Sequence, residues 1–367
     1  MTGAFGPLPA PPFTHLQALS TNVGVFEHAL LATPRPEDGY CTDDVARALA
    51  VVSREPDRAA VLEELAFTCL AFLERAQLDD GRFHNRLSAD PETGWTDDVG
   101  SDDANGHALF GLGVAVNSGN GELARRALAC FERGAPAFSS TSPRSNGQAV
   151  LGAAEVAGTH YPGHPAATAL FERASGHLGR LTGRPDWPWP EARLAYDNAR
   201  LAEARIAGGL AFGDADLVRE GLVLLTWLVE VEQRGDHFSF TPAGGWAPGE
   251  PRPGFDQQPV EAGAMADACG RAFDATGDAR WAELGALAAR WFLGRNDTGV
   301  ELFDRSTGGC CDGLEREGRN ENQGAESTLA LISALQQARR LQAAVRNAAS
   351  SSPVETNAAP TQRSAAP

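Results

Sequence analysis

One kind of segment is written six times in this chain: a cluster of Asp, Asn and Gln opens an Ala/Leu/Val-rich stretch at helical spacing, with small residues on the face that follows. The copies are YCTDDVARALAVV (40–52), GSDDANGHALFGLGVAV (100–116), SPRSNGQAVLGAAEVA (142–157), YDNARLAEARIAGG (196–209), FDQQPVEAGAMADA (255–268) and ENQGAESTLALISAL (321–335). Their polar anchors, Asp44, Asp103, Asn146, Asn198, Asp256 and Asn322, stand 59, 43, 52, 58 and 66 residues apart. Self-similarity at such a period marks a repeat architecture. Each interval has room for one further helix and two loops.

The intervening text supplies those helices. Apolar residues at helical spacing predict helices over 15–32, 59–76, 121–134, 164–180, 214–232 and 278–294, and the last anchor opens a helix over 324–346. The prolines of RPDWPWPEARLA (184–195) keep that stretch out of a helix. Segments 77–100, 237–254 and 295–322 read as loops with short strand-like pieces. Twelve helices in six pairs result. The anchor-bearing member of each pair is the more apolar all round and richer in Gly and Ala, which suits an inner position. Its partner is amphipathic, which suits an outer one. The expectation is an all-α, (α/α)6 toroid with short strand-like loops at its mouth. It spans 14–346, between an irregular Pro/Gly-rich arm (1–13) and a disordered tail (347–367).

Composition removes several classes of function. The formal charge is -17, and all 31 basic residues are arginine. Such an acidic surface repels nucleic acid and anionic membrane, and without lysine there is no Schiff-base chemistry and no P-loop. The opening residues MTGAFGPLPAPPF lack the positive and apolar regions of a secretory signal, and no run is long enough to span a bilayer. With six cysteines and no pair of CxxC motifs, the expectation is a reduced, cytoplasmic chain without metal or organic cofactor. Cys310 and Cys311, with Cys41, form a weak zinc pattern that lacks a spaced histidine.

In a closed ring of hairpins the starts of the inner helices converge. A single Asp or Asn there is a helix cap, worth about 1 kcal/mol, and acids suit the positive end of the helix dipole. Capping needs one short residue, however, whereas DD, SDD, YDN, FDQQ and NENQ set two or three polar groups together. One funnel would then gather carboxylates and amides able to hydrogen-bond sugar hydroxyls, with Trp187 and Trp189 as platforms for a pyranose face. Glycoside cleavage requires one carboxylic acid and one carboxylate, and crowding raises carboxyl pKa values into a useful range. The reacting pair is drawn from Asp44, Asp103, Asp256 and Glu326. The residues expected to hold substrate are Asp43, Asp102, Glu191, Asp197, Asn198, Gln257, Gln258, Glu261, Asp312, Asn322 and Gln323. His107, with His84, offers a second chemistry, two-base proton transfer.

Together GYCTDDVARAL, YDNARL, FDQQPVEA and TGGCCDGL followed by NENQGAESTLA resemble a bacterial family of toroid domains found beside, or fused to, glycosyltransferases. The resemblance covers about residues 20–340 and implies an (α/α)6 fold, a role in glycan metabolism and a glycosyltransferase partner. More distantly the layout is similar to the six-hairpin glycosidases and the N-acylglucosamine 2-epimerases, whose sites open at the inner-helix mouth. The epimerases' paired histidines have no counterpart on the late inner helices, and the third copy, SPRSNGQAV, carries no carboxylate. The functional expectation is a glycoside hydrolase acting on an oligosaccharide. The alternatives are a sugar 2-epimerase, a glycoside phosphorylase using Arg47, Arg193, Arg200 or Arg319, and a non-catalytic glycan-binding toroid.

Overall fold

The computed structural model describes residues 7–90, 92–118, 121–158 and 160–351. In chain order its helices are α1 (Thr14–Leu19), α2 (Thr42–Arg54), α3 (Ala60–Ala76), α4 (Asp102–Asn117), α5 (Gly121–Ala137), α6 (Pro143–Ala157), α7 (Pro165–Ser175), α8 (Ala199–Phe212), α9 (Ala215–Glu232), α10 (Pro259–Thr276), α11 (Ala279–Trp291) and α12 (Ala325–Ser351). The even-numbered helices close a ring: α2 packs on α4, α4 on α6, α6 on α8, α8 on α10, α10 on α12, and α12 returns to α2. Each odd-numbered helix from α3 to α11 lies against the inner helix before it, on the outside. This is the expected (α/α)6 toroid.

Residue choice explains the layering. Every residue of α4 from Ala104 to Val116 is buried, as a helix apolar on all sides must be. The inner helices approach to backbone contact through glycine. A Cβ on Gly113 would sit 2.4 Å from the Gly152 carbonyl oxygen, and one on Gly152 would sit 2.5 Å from that of Leu109. Contact between α4 and α6 therefore requires hydrogen at both positions.

The ends of the inner helices are stitched to one another in a consistent sense. At the starts, Arg47 of α2 meets Glu326 of α12 at 3.1 Å, and Ser145 of α6 donates to Asp103 of α4 at 3.4 Å. At the finishes, Arg339 of α12 binds Glu55, just past α2, at 2.8 Å, and Asn117 of α4 binds Glu155 of α6 at 2.6 Å. The starts thus share one mouth and the finishes the other. Short antiparallel pairs decorate the mouth: 29–30 with 33–34, 40–41 with 86–87, 233–234 with 237–238, 303–304 with 309–310, and 313–315 with 318–320.

Two expectations about boundaries are corrected. The helix over 15–32 stops at Leu19. There Thr21 accepts hydrogen bonds from the amides of Val23 and Gly24, a side-chain turn that competes with helix, and Gly24 fits tightly beneath Phe72. The sixth outer helix is therefore the stub α1, lying against α12. At the other end α12 continues to Ser351, so 347–351 are helical rather than disordered. Positions 352–367, like 1–6, lie outside the described residues. Among the described residues no helix is long and apolar enough to cross a membrane.

Candidate active site

The site is organised around Arg47. TDDVAR places Asp44 and Arg47 three residues apart, on one face of α2. The Arg47 guanidinium donates to Asp44 at 2.9 Å, pairs with Glu326 in the first turn of α12 at 3.1 Å, and lies 3.2 Å from His107 Nε2 on α4. Arginine can only donate, so Nε2 accepts and the imidazole proton resides on Nδ1. Burial, with the Arg47 and Arg200 charges, holds the His107 pKa well below its ordinary value, which keeps the ring neutral. Asp44 is only 3 % exposed and fully engaged, because the Cys41 thiol donates to its other oxygen at 3.1 Å.

Three carboxyl groups around this centre have raised pKa values. At Asp43, burial raises it, with Arg47 opposing and Asp44 adding, and its buried Oδ1 has no hydrogen-bond partner among the described residues. At Asp103 burial again dominates, against a hydrogen bond donated by the Tyr196 hydroxyl at 2.9 Å. Glu326 lies deep in the recess but is reached by solvent through the mouth, its side chain 43 % exposed. Loss of bulk water around it raises its pKa, while Arg47 pulls the other way.

Beneath these groups lies a cavity of about 40 Å³ lined in part by Arg47, His107, Gln148, Asp197, Arg200 and Glu326. That is room for about three waters or one hydroxyl-bearing arm of a ligand. His107 Nδ1, Gln148 Oε1 and Asp197 Oδ1 are buried without hydrogen-bond partners among the described residues. They present one donor and two acceptors to the cavity, although Arg200 approaches Asp197 Oδ1 at 3.4 Å. Asp197 adopts a left-handed backbone, φ 49°, and accepts from Gln148 Nε2 at 3.1 Å.

Several expected substrate contacts prove to be framework. Glu261 accepts the backbone amides of Asp197 and Asn198, which satisfies the start of α8, and burial holds its carboxyl well above the usual range. Asn198 is wholly buried and accepts from the Ala195 amide at 3.0 Å. Gln257, also wholly buried, accepts from the Phe240 amide and the Trp291 indole and donates to Gly254 and Asp297. Gln323 bridges Thr307 and Asp304 at 2.7 and 2.9 Å. Asn322 receives the Leu31 amide at 2.9 Å, and Asp312 receives that of Gly324 at 2.8 Å, ahead of α12.

The two tryptophans expected as platforms are buried, Trp187 4 % and Trp189 0 % exposed. They pack on Trp227 because a loop held rigid by prolines folds its rings inward rather than over the mouth. Glu191 is held by Arg144 and the Trp189 indole. Asp102 turns to the surface and accepts from Ser140 at 2.7 Å. Asp256 is exposed ahead of α10, with no partner on its carboxylate among the described residues, and Gln258 is half-buried beside it.

His84 is also occupied, stacked on Trp95 with its Nδ1 2.8 Å from the Asp97 carbonyl, so it is not paired with His107. Cys310 and Cys311 are wholly buried free thiols. Glu27, Cys41 and Asp44 bring ligand atoms within 4.8 Å of one another, but Arg86 holds Glu27, and Cys41 and Asp44 hold each other. Tyr196, absent from the expected set, joins the site through Asp103. Its signal lay in the sequence as the first letter of YDN.

No known family's sequence profile matches this chain, and no curated protein resembles it in sequence. Solved structures do resemble it in shape. A sugar epimerase from a ruminal bacterium aligns with a TM-score of 0.67 at 11% identity, over 89% of this chain and 95% of that one. The cellobiose 2-epimerase from Spirochaeta thermophila gives 0.62 at 13%, over 90% and 93%. The GH76 alpha-mannanase from Bacteroides thetaiotaomicron gives 0.60 at 9%, over 84% and 88%. At these identities the likeness establishes the fold: the chain is built as the (α/α)6 toroids of sugar epimerases and glycosidases are.

Proposed function

We propose that the protein is a carbohydrate-active enzyme that hydrolyses a glycosidic bond at the inner-helix mouth. The observation that carries this reading is the pairing of Asp43, raised in pKa with an unpartnered Oδ1, with Glu326, which faces Arg47. Both carboxyls are raised by burial against Arg47, but Glu326 ion-pairs directly with that guanidinium, which favours leaving the proton on Asp43. In this reading Asp43 gives its proton to the glycosidic oxygen as the bond to the anomeric carbon breaks. Glu326 takes a proton from the water whose oxygen joins that carbon, or attacks the carbon itself before water does. Asp103 and Tyr196 hold the sugar, and the unpartnered atoms of His107 and Gln148, with Asp197 beside them, receive one of its hydroxyl-bearing arms. Asp44 orients Arg47. Six free thiols accord with a cytoplasmic setting.

Epimerisation is the second reading, favoured by the neutral His107 against Arg47 and Glu326 and by the epimerases among the similar structures. One experiment addresses both. A panel of oligosaccharides and reducing sugars is incubated with the protein in D2O, with and without phosphate, and products are identified by mass spectrometry and NMR. Phosphate-independent release of reducing sugar, abolished by Glu326→Gln, is the expected result. Deuterium at C2 without cleavage supports epimerisation instead, and sugar phosphate supports phosphorolysis. Binding without turnover returns the protein to a glycan-holding role beside a glycosyltransferase.

A further inference from the structure

We infer, on the basis of that glycosidase reading, that the substrate is amphiphilic: a sugar carrying an apolar group, the sugar held inside the mouth and the apolar group on a hairpin at its rim. The hairpin pairs 29–30 with 33–34, and its connecting residues are Leu31 and Ala32. Leu30 and Leu31 are 63% and 59% exposed, more than any other large hydrophobic residue described. Solitary exposed leucines need no explanation, but this pair differs in two respects.

First, Leu31 has φ 51°. A two-residue hairpin turn at positive φ calls for glycine or asparagine, and a leucine there is strained. An exposed apolar side chain is thus kept where its backbone is least suited to it.

Second, the hairpin is fastened to the catalytic helix. The Leu31 amide donates to Asn322 and its carbonyl accepts from Gln323, both at 2.9 Å. The Glu27 carbonyl accepts from the Ala325 amide at 3.0 Å, next to Glu326. The leucines therefore stand at a fixed offset from the carboxyl group assigned to the chemistry. Two other exposed apolar side chains, Val99 and Tyr196, precede α4 and α8 at the same mouth. The remaining four are Val61, Tyr161, Leu210 and Val223, which lie on the outer helices or near the opposite end. A carboxylate-rich interior under an apolar rim matches a polar sugar joined to an apolar group, and the net charge of -17 disfavours an anionic membrane surface as the occupant.

The test compares methyl with n-octyl glycosides of glucose, galactose, mannose and N-acetylglucosamine, both anomers, below the micellar concentration of the octyl compounds. The sugar that is turned over should show kcat/KM at least about tenfold higher as its octyl glycoside, the scale expected for covering two half-exposed leucines. Leu31→Gly relieves the backbone strain and so should fold. Combined with Leu30→Ser, it should cancel most of the octyl preference while moving the methyl glycoside rate less than about twofold. Equal rates for methyl and octyl glycosides in the unaltered protein overturn the inference, as does a preference that survives the double variant. A change of oligomeric state in that variant without loss of preference reassigns the rim to a protein contact and also overturns it. If no glycoside is cleaved, the hydrolase reading fails. The rim is then decided by calorimetric binding of octyl against methyl glycosides, where equal affinities count against it.

Discussion

The two mouths of the toroid both hold charged groups and use them in opposite ways. At the lower mouth, where the inner helices finish around a basin of about 880 Å³, each arginine is matched to an acid. Arg339 grips Glu55 with two hydrogen bonds at 2.8 Å, Arg340 binds Asp274 at 2.8 Å, Arg58 binds Glu63 at 2.8 Å, and Arg271 pairs with Glu155. The pKa values of Glu55 and Glu155 are lowered despite burial. At the upper mouth Asp43, Asp44, Asp103, Asp197 and Glu326 stand around Arg47 and Arg200, and three of those acids are raised. The lower set contributes to stability by pairing. The upper set has carboxyl groups in excess of its cations, which costs stability and raises three of them.

Substitutions at the two ends should separate these roles. The largest effect is expected at the upper mouth: Glu326→Gln or Asp43→Asn should lower kcat by about 10²- to 10⁴-fold with little change in thermal unfolding, measured on whichever glycoside the panel identifies. A comparable loss in Asp44→Asn alone would shift the acid role to the residue that here holds Arg47. Glu155→Gln at the lower mouth should reverse the pattern. It removes the nearer acid from half-buried Arg271, leaving Glu203 at 3.6 Å, and should cost about 2 kcal/mol of stability, read in urea titrations, with kcat unchanged.

Smaller is the pH signature. For Asp43, raised in the fold, the favourable contribution is present below its ordinary value of 3.8 and is lost as pH rises through the folded value. Asp43→Asn should therefore be more stable than the parent at pH 7, by about 1 kcal/mol or less, with the gain vanishing near pH 4. Glu155, lowered in the fold, contributes above its ordinary value of 4.5 and loses that contribution as pH falls through its folded value. Glu155→Gln should accordingly approach the parent in stability only in strong acid. The smallest effect is expected for Glu55→Gln, whose Arg339 partner is 40% exposed. Its cost should stay under about 1 kcal/mol, and a larger loss would show that the lower mouth acts as one network rather than as separate pairs.

Much of this was legible in the residues. The recurrence of polar anchors before Gly/Ala-rich helices required close-packed inner helices, and Gly113 facing Gly152 shows why glycine stands there. The convergence of Asp43, Asp103 and Glu326 followed from the ring. What could not be read was which anchor atoms remain available. Glu261, Gln257, Asn198 and Gln323 have the same chemistry as substrate ligands, but the first three face backbone amides or an indole and Gln323 faces the Thr307 hydroxyl and the Asp304 carboxylate, and burial makes such bonds obligatory. Trp187 and Trp189 misled for a related reason, since a proline-rich loop looks exposed in sequence while its rings fill the space beneath it. The helix expected over 15–32 failed at Thr21, where one side-chain turn outweighed an apolar pattern.

By itself the sequence determined the ring, because periodicity and side-chain size dictate which helices can pack inside and in what order. It also determined that acids would crowd one end, because the polar cluster always precedes its helix. Only the tertiary structure decided which acids are neutralised. That depends on whether a cation or amide comes within about 3 Å, and of Asp43 and Asp44, adjacent in the chain, Asp44 accepts directly from Arg47 and Cys41 while Asp43 keeps one oxygen without a hydrogen bond among the described residues.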